Sequence, residues 1–221
     1  METFLPAPSS SRPAYTPQAM NATRLVALFP PDHRTPLSDF KPVILAQEEA
    51  LFFRETAKGV GGGGGQISGG YGAQISDVHV LHDKELNGEC VELIGTRVRI
   101  ELPCRVRVPG LILHVRDIGR FCAFEAIVLD TEGVQYSLLA SNKVSAIRIH
   151  GQACMMPLEM IPGWNILRMP LGIMMKTAFG KIFHTCCGVI VYSSVKLAKI
   201  YFESDPIEDV ELPSFLRTSK M

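Results

Sequence analysis

The residues of this 221-residue chain that could hold a metal or act as nucleophiles are its six histidines and six cysteines, so their spacing comes first. His79 and His82 are three apart in Val78-His-Val-Leu-His82, a stretch that reads as a strand, where an odd separation points side chains to opposite faces. No Cys-x-x-Cys occurs, and none of the standard zinc-ligand spacings is present. Cys186 and Cys187 are adjacent, which is too constrained for a routine disulfide. With Cys90, Cys104, Cys122 and Cys154 they read as free thiols packed in apolar runs, in keeping with a reducing, cytoplasmic compartment. No local signature supports a Cys-His nucleophile pair. Glu125, Asp130, Glu132 and Glu159 fall in a strand or in turns, and nothing sets two of them across a cleft for general acid and base work. Residues 59–72 hold five consecutive glycines, yet a phosphate loop needs Gly-Lys-Ser/Thr opening a helix, and a dinucleotide loop needs a strand before it and a helix after it. Catalytic residues, metal and cofactor are therefore all absent from the expectation.

Charge is the more informative chemistry. Arg97, Arg99, Arg105, Arg107, Arg116 and Arg120 lie within one stretch that carries only Glu101 and Asp117 against them. Arg97 and Arg99 alternate with Val98 and Ile100, so the two arginines share one strand face and the apolar residues the other. If their strands are neighbours, the six arginines make a basic face for an acidic partner; otherwise they are the ordinary solvated cover of a sheet. Glu203, Asp205, Glu208, Asp209 and Glu211 form an opposing acidic run, so copies of the chain could stack head to tail. Net charge is zero, which leaves no long-range field to steer the molecule to nucleic acid or to an anionic membrane. No apolar run of about 18 residues exists, and Met-Glu-Thr-Phe-Leu-Pro-Ala-Pro resembles neither a signal nor a transit peptide.

The elements that must position these groups are strands. From Asp77 onward, short alternating runs recur with turn signals every 8 to 12 residues: Val78–His82, Cys90–Ile94, Thr96–Leu102, Leu111–Val115, Phe121–Leu129, Val134–Leu139, Ser145–Ile149, Cys154–Glu159, Trp164–Met169, Gly188–Ser193 and Lys196–Glu203. Asn87-Gly88 and Glu132-Gly133 punctuate hairpins, and Leu171–Phe179 alone suggests a helix. The fold class is all-β, an antiparallel β-sandwich or jelly-roll-like domain with one short helix. Its organising stretch runs from Cys154 to Leu171, two apolar runs on either side of Pro162-Gly163. Trp164, Ile166 and Arg168 alternate with Asn165, Leu167 and Met169, so both faces are largely apolar and the pattern predicts a strand at the centre of a sheet, with Trp164 in the core. An exposed Trp164 would instead favour a carbohydrate- or ligand-binding jelly roll.

Hydrophobic residues make up 47% of the chain and charged residues 20%, ordinary for a packed domain. The expected division is a Pro/Gly-rich flexible extension over residues 1–76 and a β-sandwich over 77–221. Two apolar runs interrupt the extension, Leu25 to Phe29 and Leu45 to Lys58, the second with the pattern of a short helix closed by Gly59. These are expected to dock on a neighbouring protein, and removal of residues 1–72 is expected to leave the domain folded.

Ala140-Ser141-Asn142, Arg148, Cys154-Met-Met-Pro-Leu158, Gly163-Trp-Asn165, Ala178-Phe-Gly180, Lys199-Ile-Tyr-Phe202 and Glu211-Leu-Pro213, in that order, resemble the cilia- and flagella-associated protein twenty family. The resemblance covers roughly Val78 to Arg217. It implies a non-enzymatic β-sandwich at the inner junction of axonemal doublet microtubules, in the cilium or flagellum, with tubulin and other axonemal proteins as partners. Three departures mark a divergent member: the glycine run stands where the family's first strand enters, Phe179-Gly-Lys-Ile-Phe183 replaces a tyrosine-rich segment, and the family's basic excess is missing.

Overall fold

The computed structural model describes residues 19–20, 24–30, 43–44, 77–95, 98–192 and 194–218. In chain order the strands are β1 (Ala19–Met20), β2 (Leu25–Phe29), β3 (Val43–Ile44), β4 (Asp77–Asp83), β5 (Gly88–Ile94), β6 (Val98–Val106), β7 (Gly110–Asp117), β8 (Ala123–Asp130), β9 (Gln135–Ser141), β10 (Arg148–His150), β11 (Ala153–Pro157) and β12 (Gly163–Pro170). Helix α1 (Leu171–Phe179) follows, then β13 (Phe183–Tyr192) and β14 (Val195–Glu203).

β14 organises the first of two seven-stranded sheets. β7 runs along one of its edges from Val195 to Glu203. Its other edge is shared, with β5 on Val195–Leu197 and β2 on Ile200–Glu203. β4 lies outside β5, β1 outside β2, and β12 outside β7. The second sheet runs β10-β11-β9-β8-β13-β6-β3. Every pairing is antiparallel except β11 with β9, where the short β10 reverses the chain once more and makes this sheet mixed.

Alternation decides which side chains fill the space between the sheets. Ile200 and Phe202 of β14 point into the main core, whereas Tyr201 points outward to Leu25, Ala27 and Ile112. The outward group is covered by Leu212 and Leu216 from the segment after β14, so the chain's own residues 204–218 overlie part of the first sheet. α1 closes one end of the core with Leu171 and Met175, both fully buried. It ends at Gly180, whose φ of 66° is the left-handed geometry that glycine adopts without a steric cost.

Two expectations are corrected here. β12 is not central: it pairs only with β7 among the described strands, and Trp164 is half-buried and outside the main core. An apolar pattern on both faces describes side chains, not the backbone edge, and Pro170, which has no N–H, is the last residue of a strand that has β7 alone beside it among the described residues. The second correction concerns the extension. Leu25–Phe29 is a strand of the first sheet, with Leu28 and Phe29 fully buried, so the sandwich includes residues from before the glycine run. The run Leu45 to Lys58 and the glycines that follow lie outside the described residues.

Candidate functional site

One transverse row crosses the outer face of the first sheet. His79, Glu92, Lys196, Arg116 and Trp164 are register partners on β4, β5, β14, β7 and β12 in turn. Asp83, at the end of β4, folds over this row and is 5% exposed. It accepts hydrogen bonds from Trp164 Nε1 at 3.2 Å, Lys196 Nζ at 3.3 Å and Arg116 at 3.4 Å, and from the backbone N–H groups of Glu85 and Leu86. Burial alone would push its carboxyl up, but the bonds from Trp164, Leu86, Lys196 and Glu85 outweigh that and hold it at about 2. Arg116 also pairs with Glu85 at 2.9 Å and Lys196 with Glu92 at 3.7 Å. The row is thus a clamp joining the β4–β5 hairpin to β12 across the sheet. Asp83 was not singled out from the sequence, although an aspartate followed by Lys-Glu-Leu-Asn-Gly carries the signal of a side chain capping its own turn.

His114, one row further along β7, is 5% exposed and its ring lies 4.9 Å from that of Trp164. Its Nδ1 is buried with no hydrogen-bond partner. Burial, reinforced by Lys199, lowers its pKa to about 4, so the imidazole is neutral near pH 7. Trp164 is therefore no open platform for a sugar ring, since its N–H is bonded to Asp83 and its ring rests on His114.

The five described arginines of the stretch do not share a face. β6 and β7 lie in different sheets, so Arg99 is on the outer face of one and Arg116 on the outer face of the other. Arg99 is bonded to Glu101 at 2.6 Å, and Arg116 belongs to the clamp. Arg107 and Arg120 flank opposite ends of β7, about 25 Å apart for a strand of this length. Arg105 and Arg107 are both exposed and close in sequence at the β6–β7 corner, leaving them as the compact remnant of the stretch. Arg97 lies outside the described residues. The acidic run is divided too: Glu203 is buried and ion-paired with Arg168, and Asp209 accepts from Thr218 N and Oγ1, while Asp205, Glu208 and Glu211 are exposed.

On the outer face of the second sheet, Glu125 accepts from Ser137 Oγ and Tyr192 Oη at 2.5 Å each. Around them sits a small apolar cluster of Ala123, Leu139 and Tyr192, with Phe121, Met155 and Ile190 packed against it. At the tip of the β8–β9 turn, Asp130 accepts from the backbone of Glu132 and Val134 and from Tyr136. The six cysteines are free thiols, and burial pushes Cys90 up to about 11 and Cys122 up to about 12. Among the described residues no three of His, Cys, Asp and Glu converge to hold a metal ion.

Among the described residues, the ionisable groups around Asp83, Asp130 and Glu203 tie strands or turns together on the outer surfaces of a β-sandwich. The chain belongs to the CFA20 domain family, whose model matches residues 71–220. It is similar to the cilia- and flagella-associated protein 20 of Chlamydomonas reinhardtii, 26% identical over 152 residues, spanning 64% of this chain and 80% of that protein. The protein of the same name from Paramecium tetraurelia is 26% identical over 151 residues, 63% of this chain and 79% of its own. That from Caenorhabditis elegans is 24% identical over 152 residues, 64% of this chain and 75% of its own. β2 precedes the matched residues, so this strand of the sheet comes from outside the family match.

Proposed function

We propose that this protein is a non-enzymatic structural component of cilia or flagella that binds tubulin and neighbouring axonemal proteins at the inner junction of doublet microtubules. The observation that carries the reading is the family match over residues 71–220, whose relatives bear the name cilia- and flagella-associated protein 20. It is supported by the clamps around Asp83, Asp130 and Glu203, whose charges are committed to strand and turn contacts. Arg105 and Arg107 are the contact proposed for an acidic tubulin surface, because they are exposed and neighbouring.

A tagged copy in ciliated cells tests the placement. Axonemal signal that survives detergent extraction is expected, and a diffuse soluble signal would overturn the reading. Reversing both charges, Arg105→Glu with Arg107→Glu, is expected to weaken co-sedimentation with microtubules without changing the melting temperature. Raising salt should weaken the parent protein in the same way, since surface charges are screened within about 8 Å at physiological ionic strength. Retention unchanged by either treatment would show that the contact lies elsewhere.

A further inference from the structure

Three of the six cysteines meet at one point of the second sheet. Cys104 lies on β6, and Cys186 and Cys187 lie on its neighbour β13. Cys186 pairs with Val106 and Gly188 with Pro103, so Cys104 and Arg105 together stand opposite Cys187, the two-against-one count of a β-bulge. The register shifts at the same place on the other side of β13, where Cys186 pairs with Val128 and Gly188 with Ile127. Both neighbouring strands therefore skip Cys187, and the chain is re-aimed where the three thiols lie.

The bulge turns two of these thiols to one face. Leu102 and Val106 of β6 belong to the main core and Cys104 packs against it between them, while Cys186 is part of that core. The Cys104 thiol donates to the Cys186 carbonyl at 3.4 Å across 82 positions of sequence, and the Cys186 thiol donates to the Gly188 carbonyl at 3.4 Å. Cys186 is pushed well above the usual thiol range, first by its hydrogen bond with the Cys104 thiol and then by burial. Burial, then the neighbouring Cys104, pushes the Cys187 thiol up against the pull of Arg105. Exposure separates the partners: Cys104 is half-buried, whereas Cys186 is wholly buried. The remaining cysteines, Cys90 on β5, Cys122 before β8 and Cys154 on β11, are buried on other strands or loops.

We propose that Cys104 and Cys186 are a reversible redox pair, joined into a cross-strand disulfide by hydrogen peroxide and released by a small thiol. Cys104 meets the oxidant, because Cys186 is closed to solvent. The Cys104 thiolate attacks one peroxide oxygen, the O–O bond breaks, and Cys104 becomes a sulfenic acid while the departing hydroxide takes up the Cys104 proton as water. The Cys186 sulfur then attacks the Cys104 sulfur, the S–O bond breaks, and a second water carries off the Cys186 proton. The two sulfurs lose the two electrons that the peroxide gains. Two molecules of a thiol such as glutathione reverse the step, restoring both cysteines and leaving as their own disulfide. Oxidation thereby ties β6 to β13 beside Arg105 and Arg107.

Peptide mapping of the full chain tests the pair. The folded protein is exposed to hydrogen peroxide at neutral pH, and the remaining thiols are alkylated in denaturant. The peptide with Cys104 is expected joined to the one with Cys186 and Cys187, lighter than their sum by the two hydrogens lost, and dithiothreitol should undo the link. Cys90, Cys122 and Cys154 should stay alkylated. Cys187→Ser is expected to keep the link and Cys104→Ser to lose it; the map of the parent protein depends on the folding of neither variant. Four results would overturn the proposal: six thiols that all remain alkylated, Cys104 oxidised to sulfinic acid with no link, a link that forms only in denaturant, or a link that disappears in a Cys187→Ser protein with the parent's circular dichroism.

Discussion

Truncating the chain to begin at residue 31 removes β2 and is expected to unfold the sandwich. Val26, Leu28 and Phe29 point into the main core, and Leu28 and Phe29 are wholly buried. At about 1.5–3 kcal/mol for each buried side chain, their loss alone removes roughly 4.5–9 kcal/mol, an upper estimate because unfolded chains already hide some apolar surface. Leu25 and Ala27 on the other face would also abandon Leu212 and Leu216, and β14 would keep only β7 as a partner along Ile200–Glu203. Domains of this size are stable by about 5–15 kcal/mol in all, so the loss is comparable to the whole. Circular dichroism on heating should show no cooperative transition, and dye binding should report exposed apolar surface. A synthetic peptide spanning residues 19–30, added in trans, should restore a transition in a concentration-dependent way. A truncated protein that melts cooperatively within a few degrees of the parent would refute the reasoning and return these residues to the status of a dispensable extension.

Three further outcomes follow from the clamp and the strand crossings. Trp164→Ala should cost about 1–3 kcal/mol, the range for leaving a buried polar partner short of a bond, and less than a core aromatic, because Asp83 keeps Lys196, Arg116 and two backbone donors. Trp164→Phe keeps ring contact with His114 but loses the N–H, so chemical denaturation of the pair separates the two contributions. His114 is neutral when folded with its pKa depressed from 6.5 to about 4, so its contribution is complete above pH 6.5 and is lost as pH falls from 6.5 through 4. His114→Phe should flatten the melting temperature over that window, and a parent protein with no such slope would show that His114 is not buried neutral. Gly110→Ala would set a Cβ 2.5 Å from the carbonyl oxygen of Glu203, where β7 and β14 pair, and should lower stability by at least about 1 kcal/mol on thermal melting.

Much of the local structure was legible in the sequence because its causes are local. Period-two alternation marked the strands, and Leu171–Phe179 was read with the ends the helix has. Asn87-Gly88 punctuates the expected hairpin, with Asn87 closing the turn at a φ of 47° and Gly88 opening β5 opposite Asp83. The family resemblance, carried by spaced motifs after Val78, agrees with the match over residues 71–220. What the sequence could not decide is which strand lies beside which. β6 and β7 are consecutive yet sit in different sheets, which split an arginine cluster that looks continuous along the chain. β2 is separated from β14 by more than 160 residues, and only burial of Leu28 and Phe29 between the sheets turns a proline-flanked apolar run into a strand. Trp164 followed the same logic in reverse: its neighbours in sequence suited a central strand, but the pairing of β12 with β7, Trp164 opposite Arg116, set it against Asp83 and His114. Alternation fixes which way each side chain points from its own strand, whereas the partner across it depends on long-range pairing whose energy is shared over the whole core.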